Sequence, residues 1–166
     1  MGLFDNFFGK KEERIQIFAP VEGKLVPLSE VSDPTFAEEI LGQGAAVIPT
    51  SNQFFSPVDG TLTTVFPTGH AVALTSSTGV EVLLHVGLDT VKLNGKHFTV
   101  HVEEGQQVKK GDLLLEADLE QIKAEGFDII TPVIICNTEE FSEIGMARGS
   151  KVTVEDAILN IIKRKE

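Results

Sequence analysis

The sequence predicts an all-β protein, an antiparallel β sandwich or barrel with an internal duplicated unit and two or three very short helices. Three observations support this prediction: many short stretches rich in β-branched residues, frequent turns with Gly, Pro or Asp, and an internal repeat. Strands do not alternate with long helices, which disfavours a nucleotide-binding fold of the Rossmann type. With 166 residues, the chain is long enough to bury the core of one domain.

The repeat consists of two segments of eight residues. Phe18-Ala-Pro-Val-Glu-Gly-Lys-Leu25 recurs as Phe55-Ser-Pro-Val-Asp-Gly-Thr-Leu62. In each copy a proline restricts the backbone, and an acidic residue followed by glycine predicts a reversal between two short strands. Two copies are too few for a solenoid. The repeat therefore predicts a duplicated β unit folded onto itself.

Two short helices are predicted from capping signals. Asp33 and Pro34 are the expected N-cap and first residue of one helix, which a glycine at position 42 or 44 should end. Its apolar side is expected to consist of Phe36, Ile40 and Leu41. The second is expected over residues 119–125, with Asp118 as N-cap and Gln121 completing a capping box. Strands are predicted at residues 60–66, 71–75, 80–86, 96–102, 113–117, 128–136 and 151–154. Residues 157–162 fit either a strand or a helix.

Composition excludes several classes of protein. Lys and Arg number 14 against 25 Asp and Glu, a net charge of −11, and a nucleic-acid-binding surface needs the opposite balance. The single cysteine, Cys136, rules out an intramolecular disulfide framework and is expected to be a small buried hydrophobe. No apolar run approaches the roughly 20 residues that span a bilayer. The chain is therefore expected to be cytoplasmic.

Residues 1–14 differ from the remainder and are expected to form a flexible or amphipathic N-terminal arm before a domain over residues 15–166. Leucine and phenylalanine recur there at helical spacing, followed by Lys10 and Lys11. Such an arm is expected to make at most weak membrane contact, through residues 1–11. A frayed terminus is the alternative.

Histidines are the strongest candidates for chemistry, because the unperturbed imidazole titrates near neutral pH. In the strand predicted at 80–86, alternation places an aliphatic face on the core and directs Leu83 and His85 outward. His85 is thus either a reactive ring beside apolar surface or a half-buried ring bonded to backbone. His70 lies in a turn, where the hydroxyl of Thr68 could orient its ring.

Two other patterns give weaker signals. His97 and His101 would be zinc ligands on a helix, but their neighbours predict a strand, where the rings lie about 13 Å apart. Residues 104–115 resemble the strand pair of a biotinyl or lipoyl carrier, with a plain β hairpin as the alternative. Lys109 and Lys110 lack the flanking residues of those carriers.

The segment Leu84-His-Val-Gly-Leu-Asp-Thr-Val-Lys-Leu-Asn-Gly95 closely resembles the active-site segment of the glucose-type enzyme IIA family. These proteins are phosphocarriers of the bacterial phosphoenolpyruvate:sugar phosphotransferase system. Thr68-Gly-His70 resembles the second-histidine segment of that family, and similarity extends over residues 15–154. Pro67 and Gly69, which flank Thr68, depart from the family pattern.

The resemblance implies a phosphotransferase component of sugar uptake with the fold of a β sandwich. His85 would accept a phosphoryl group from phospho-HPr and pass it to a cysteine of a sugar-specific IIB domain. His70 would support the phosphoryl group, with Thr68 orienting His70, and no cofactor is required. By position, the residues that match the family's partner-binding rim are Phe36, Ile40, Leu41, Phe66, Leu83, Asp89 and Val91.

Two other functions stay open at this stage. The apolar surface around the histidines would also suit a regulatory docking protein that phosphorylation switches, and regulatory targets are then further partners. A zinc ion held by His70, His85 and a partner carboxylate would suit such a dock. A biotin or lipoyl carrier is the remaining alternative.

Overall fold

Strands dominate the computed structural model, which describes residues 14–164. The strands within this range are β1 (Arg14–Phe18), β2 (Gly23–Pro27), β3 (Gln43–Pro49), β4 (Gln53–Phe55), β5 (Gly60–Val65), β6 (Ala71–Ser76), β7 (Glu81–His85), β8 (Phe98–Val100), β9 (Gln107–Val108), β10 (Leu113–Ala117), β11 (Thr131–Ile135), β12 (Phe141–Met146), β13 (Lys151–Val152) and β14 (Ala157–Lys163). The helices are α1 (Pro34–Ala37) and α2 (Leu119–Ala124), together with 3₁₀ turns at Leu28–Glu30, Thr90–Leu93 and Thr138–Glu140. The predicted arm lies almost wholly outside the described residues.

The strands pair into three sheets. The largest has eight strands in the order β13-β2-β3-β11-β7-β6-β5-β9, and two three-stranded sheets have the orders β1-β14-β12 and β4-β10-β8. One main core draws buried side chains from all three sheets, for example Ile17, Leu84 and Leu115. Burial of this apolar surface is the main force that holds the sheets together. The predicted all-β sandwich with two short α-helices is confirmed.

The two copies of the repeat bond to each other. The Phe18 N–H donates to the Pro57 carbonyl at 3.1 Å, and the Phe55 N–H donates to the Pro20 carbonyl at 2.7 Å. In each copy one strand ends at the phenylalanine and the next begins at the glycine. The repeat is therefore a duplicated unit whose halves exchange equivalent hydrogen bonds, as the sequence predicts.

The glycines of the repeat do not make the predicted reversals. Gly23 and Gly60 begin β2 and β5, where a Cβ atom would lie 2.2 Å from the Ile48 carbonyl oxygen and 2.3 Å from the Thr75 carbonyl oxygen, respectively. Such contacts are far shorter than van der Waals separation. Glycine is needed here because the neighbouring strand approaches closely.

Both helices are capped as predicted at their N-termini, but α1 ends early. The Asp33 carboxylate accepts from the Thr35 N–H at 2.9 Å, and α1 stops at Ala37 because Glu39 has φ 58°. The prediction that Gly42 or Gly44 ends this helix is wrong. Ile40 and Leu41 consequently lie beyond the helix rather than on its apolar side.

The Asp118 carboxylate accepts from the Gln121 N–H at 3.2 Å and caps α2. Its own N–H donates to the His97 carbonyl, so the reciprocal half of the predicted capping box is replaced by a bond to another segment. Gly126, at φ 95°, follows the helix.

The structure differs from the local predictions in three further respects. Residues 104–115 do not form a hairpin, because β9 pairs with β5 while β10 pairs with β4 and β8. β3 and β12 were not predicted. Cys136 lies just after β11 and is exposed rather than buried.

The first and last described strands lie side by side. β1 pairs with β14 in antiparallel register, with Arg14 opposite Ile162. None of the helices described within residues 14–164 has the length and apolar character needed to cross a membrane.

Candidate active site

The two histidines of the predicted site meet through the β6–β7 hairpin. Ala71 pairs with His85 in the ladder, and the Val86 N–H donates to the His70 carbonyl at 2.8 Å. The imidazole centroids of His70 and His85 are 4.8 Å apart, with ring planes at 84°. The backbone hydrogen bonds of the hairpin therefore bring the two rings together, and no bond between the rings is needed.

Alternation along β7 turns His85 away from the main core, as predicted. Val82 and Leu84 are buried in the main core, whereas Leu83 and His85 are only partly buried on the opposite face. That face is not bare, because Leu83 packs against a second apolar cluster that includes Phe36, Leu88 and Ile134. The site therefore lies beside a small core of its own.

A backbone carbonyl sets the protonation pattern of His85. Its Nδ1 lies 2.7 Å from the Gly87 carbonyl oxygen. Because a carbonyl only accepts, the hydrogen is on Nδ1, and a neutral ring then keeps its lone pair on Nε2. Burial lowers the pKa of His85, while the Gly87 bond, Asp33 and Asp89 act in the opposite direction. The result is a neutral imidazole with a nucleophilic Nε2.

Gly87→Ala is expected to damage both stability and activity. Gly87 has φ 78°, and an added Cβ would lie 2.7 Å from Thr90 Cγ2 and 2.9 Å from the Asp128 carbonyl oxygen. The conformational cost alone is about 1–2 kcal/mol. Relief of the overlap should also shift the carbonyl that holds His85 and slow the phosphorylation that the resemblance implies, at least about tenfold.

Urea unfolding and initial phosphorylation rates measure the two effects. Gly79→Ala is the matched control, because Gly79 has φ 89° but nothing within 4 Å of an added Cβ. Equal losses of stability and equal phosphorylation rates in the two variants would contradict this prediction.

His70 is held by the hydroxyl that the sequence singles out. Thr68 Oγ1 lies 2.6 Å from His70 Nδ1, and only 3% of His70 is exposed. Burial, with a smaller effect of charge repulsion from His85, lowers the pKa of His70 to about 4. The ring is therefore neutral near pH 7. When Nδ1 accepts the Thr68 hydroxyl hydrogen, the ring carries its own hydrogen on Nε2 and can donate it.

The lowered pKa of His70 predicts a loss of stability in mild acid. The pKa of the His70 ring is 6.5 in the unfolded protein and about 4 in the native protein. The free energy of unfolding should therefore decrease as pH falls from 6.5 to 4, by about 3 kcal/mol in total, and then level off. Urea unfolding across this range, compared with His70→Gln, isolates the effect from carboxylate titration. Parallel pH profiles for the two proteins would count against it.

Phenylalanine rings flank the histidine pair. Phe36 lies 5.0 Å from the His85 ring and Phe66 lies 5.5 Å from the His70 ring, measured between centroids. Phe36 is only 5% exposed, so it forms a floor beneath His85 rather than an exposed rim. The other apolar residues assigned to the rim by resemblance, apart from the half-buried Leu83, are exposed large hydrophobics: Ile40, Leu41, Phe66 and Val91. Their part in docking stays a prediction.

Two carboxylates influence His85 electrostatically. Asp89 was predicted as part of the rim and is exposed, whereas Asp33 was recognised only as a helix cap. Both oppose the lowering of the His85 pKa, and both line a cleft of about 640 Å³ that also includes Lys92 and Asp128. Nothing in the sequence indicated that the residue capping this helix would also act on His85.

The remaining histidines lie outside the site. His97 pairs with Glu125, and His101 Nε2 lies 2.8 Å from a Glu116 oxygen. Residues 14–164 contain no group of three or more His, Cys, Asp or Glu side chains that could hold a metal ion. Any zinc ion at His70 and His85 would therefore need ligands from a partner.

Comparison with known proteins identifies the family. Residues 15–141 match the family model of the phosphoenolpyruvate-dependent sugar phosphotransferase system, EIIA 1. The chain belongs to this family. It is accordingly a phosphotransferase component of that system, and the interpretation as a phosphocarrier is favoured over a biotin or lipoyl carrier.

Individual relatives agree with this assignment. The glucose-specific EIIA component of Haemophilus influenzae is 40% identical over 166 residues, covering 98% of this chain and 100% of its own. The beta-glucoside-specific EIIBCA component of Bacillus subtilis is 47% identical over 86% of this chain. The chain spans only 24% of that longer relative.

A solved structure confirms the fold. Glucose permease IIA from Mycoplasma capricolum matches with a TM-score of 0.84 and 37% sequence identity, covering 89% of this chain and 96% of that one.

Proposed function

We propose that this chain accepts a phosphoryl group on His85 Nε2 from phospho-HPr and passes it to a cysteine of a sugar-specific IIB domain, in the cytoplasm. The observation that supports this most directly is the bond between His85 Nδ1 and the Gly87 carbonyl. It leaves Nε2 as the unprotonated nitrogen, beside a second neutral ring. EIIBCA relatives, whose names join the A component to B and C components in one chain, support a IIB domain as the acceptor.

Both transfers balance without a net proton or an oxidant. In the first, the lone pair of His85 Nε2 forms a bond to phosphorus as the donor's N–P bond breaks and returns its electron pair to the donor imidazole. In the second, a IIB thiolate attacks phosphorus and the His85 N–P bond breaks. Phosphoryl transfer depends mainly on in-line placement and charge stabilisation. Both are provided when the two proteins dock with their reacting groups facing each other.

His70 supplies charge stabilisation. A phosphoryl group on His85 would bring two negative charges beside a ring that is almost completely buried. An N–H donor at His70 Nε2 offsets that charge, and a hydrogen bond to a charged acceptor is roughly twice as strong as a neutral one. Thr68 holds the ring in position for this donation.

Donor and acceptor are proposed to share one docking surface. Ile40, Leu41, Phe66 and Val91 give it exposed apolar side chains, a feature of interaction sites. Asp33 and Asp89 add negative charge beside His85. The partners should therefore present an apolar centre with Lys or Arg at its edge.

Ile40→Glu tests this surface. Ile40 is 68% exposed, so the change should leave stability within about 0.5 kcal/mol while slowing transfer from HPr and to IIB at least about tenfold. Phosphorylation rates measured against partner concentration should show a raised KM. Ile48→Glu is the matched control, because Ile48 is an exposed isoleucine on β3, outside the rim. The docking surface would be wrongly placed if both variants transferred equally well.

Reconstitution tests the proposal as a whole. Incubation with phosphoenolpyruvate, enzyme I and HPr should add about 80 Da in an acid-labile form. Addition of a purified IIB domain should then remove that mass within seconds, and a panel of IIB domains would identify the sugar. No acid-labile gain would refute the proposal, as would a gain that no IIB domain removes.

A phosphorylation-switched regulatory role is a second candidate, favoured by the same exposed apolar side chains. A phosphoryl group at their centre would add charge to an apolar interface and weaken a complex with a regulatory target. Binding of targets in a lysate to the unphosphorylated protein, lost on phosphorylation, is the expected result. Capture limited to HPr and IIB in both states would dismiss this role.

His70 and His85 could supply two of the four ligands of a tetrahedral zinc ion. The Nε2 atoms of His70 and His85 are the available imidazole nitrogens, because both Nδ1 atoms have partners. For His70, zinc binding requires the other tautomer, in which the hydrogen is on Nδ1 and is donated to Thr68 Oγ1. Tetrahedral zinc needs two further ligands, which a partner carboxylate and water could supply. Zinc should therefore raise affinity for a partner without binding tightly to the chain alone. Equilibrium dialysis with and without the partner tests this, using His85→Gln as control.

A further inference from the structure

Two lysines lie directly opposite each other at an edge of the large sheet. Lys24 of β2 pairs with Lys151 of the edge strand β13. Directly paired residues on antiparallel strands project to the same face, and like charges in such a pair are unfavourable. The chain has 25 acidic residues, yet within residues 14–164 neither ammonium has a carboxylate at salt-bridge distance.

The lysine pair borders a cleft of about 610 Å³. Hydroxyl-bearing residues Thr50, Ser150 and Thr153 line the same cleft. Two of these hydroxyls already donate, Thr50 to the Glu22 carbonyl and Thr153 to Asp156. The side-chain donors left for a ligand are therefore the two ammoniums and the Ser150 hydroxyl. Of the described residues that line the cleft, Glu22 is the one carboxylate.

We infer that this cleft binds a phosphate monoester dianion between Lys24 and Lys151. Two ammonium groups neutralise the two charges of such a group, and charge-assisted hydrogen bonds are the strongest that they form. An anion between the lysines also attracts both ammonium groups and so offsets the repulsion between them. None of the lining residues belongs to the histidine site, so the inference does not depend on the proposed phosphoryl transfer.

Binding is tested by NMR titration at constant ionic strength, with inorganic phosphate, glucose 6-phosphate and neutral glucose as probes. Both phosphates should give saturable shifts of the Thr50, Ser150 and Thr153 amides, with a Kd of about 1 mM, and glucose should give none. Lys24→Gln/Lys151→Gln should weaken binding at least tenfold, whereas Glu22→Gln should tighten it several-fold. Lys109→Gln, a change of an exposed lysine outside the cleft, should have no effect.

Thermal unfolding at low salt gives a second readout. Lys151→Gln removes the like-charge pair and should raise the midpoint by a few degrees. Phosphate should raise the midpoint of the wild type and of Lys109→Gln but not that of Lys24→Gln/Lys151→Gln. Phosphorylation of His85 should be unchanged in every variant. The inference fails if the shifts do not saturate, if the double variant binds equally well, or if vesicles with anionic lipid bind through these lysines while both phosphates do not.

Discussion

His85→Gln is expected to abolish phosphorylation, with a loss of at least about three orders of magnitude in rate. The glutamine amide nitrogen has no basic lone pair, so the variant lacks the nucleophile that the Gly87 carbonyl exposes on the wild-type ring. Intact mass after incubation with phosphoenolpyruvate, enzyme I and HPr should show the gain of about 80 Da in the wild type only. Sugar phosphorylation with a complete set of partners should be lost in parallel.

His101→Gln provides the matched control for this result. His101 is an exposed ring bonded to Glu116, and it should be dispensable. Circular dichroism and the unfolding midpoint should show that His85→Gln is folded, since His85 is only partly buried. Acid-labile phosphorylation of His85→Gln at the wild-type rate would place the acceptor elsewhere and overturn the assignment.

His70→Gln is expected to separate the two transfers. In the proposed function, acceptance from phospho-HPr uses a neutral nucleophile, so this step should proceed at a reduced rate. The proposed onward transfer brings an anionic thiolate to a phosphoryl group that already carries negative charge, so we expect the His70 N–H to matter most in that step. Removal of one such donor typically costs 10²–10³-fold, so transfer to IIB should fall at least about a hundredfold.

Single-turnover kinetics with pre-phosphorylated protein measure the second step alone. Thr68→Val should resemble His70→Gln in direction with a smaller loss, because it frees His70 Nδ1 without removing the ring. His70→Ala extends the series in case the glutamine amide donates in place of the imidazole. Equal losses in both transfers would assign His70 to holding His85 in place rather than to the second step.

Much of the site could be predicted because the positions of its side chains depend on the alternation along β7 and on the pairing of β6 with β7. The alternation of side chains along residues 80–86 is sufficient to predict that His85 faces away from the main core, as it does in the structure. The interval between His70 and His85 corresponds to a hairpin, and pairing of Ala71 with His85 then places the rings together. The spacing of Thr68 from His70 allowed its hydroxyl bond to be predicted as well.

Other features of the site depend on contacts that cannot be predicted from the local sequence. The acceptor for His85 is a backbone carbonyl, which every residue has. Its availability depends on the left-handed conformation of Gly87. Phe36 lies beneath the His85 ring through a tertiary contact between α1 and β7, and α1 ends through the conformation of Glu39 rather than at a glycine.

Long-range pairing explains the errors elsewhere. Residues 104–115 contain the turns of a hairpin, but their two strands pair with partners far away in the chain. β3 begins with Gln-Gly-Ala-Ala and has little β propensity of its own, yet β2 and β11 pair with it on both sides. The neighbouring strands, rather than the residues of β3, decide its conformation.

The pairing of β1 with β14 has a consequence for how such a domain can be linked to others. With Arg14 opposite Ile162, the start of β1 and the end of β14 lie side by side at the same end of this strand pair, so a tether at either end of the described chain would start from nearly the same place. A flexible tether raises the effective concentration of one module around another to about the millimolar range. The fold is therefore compatible with a link to another module at either end, and the two links would hold that module near the same part of the domain.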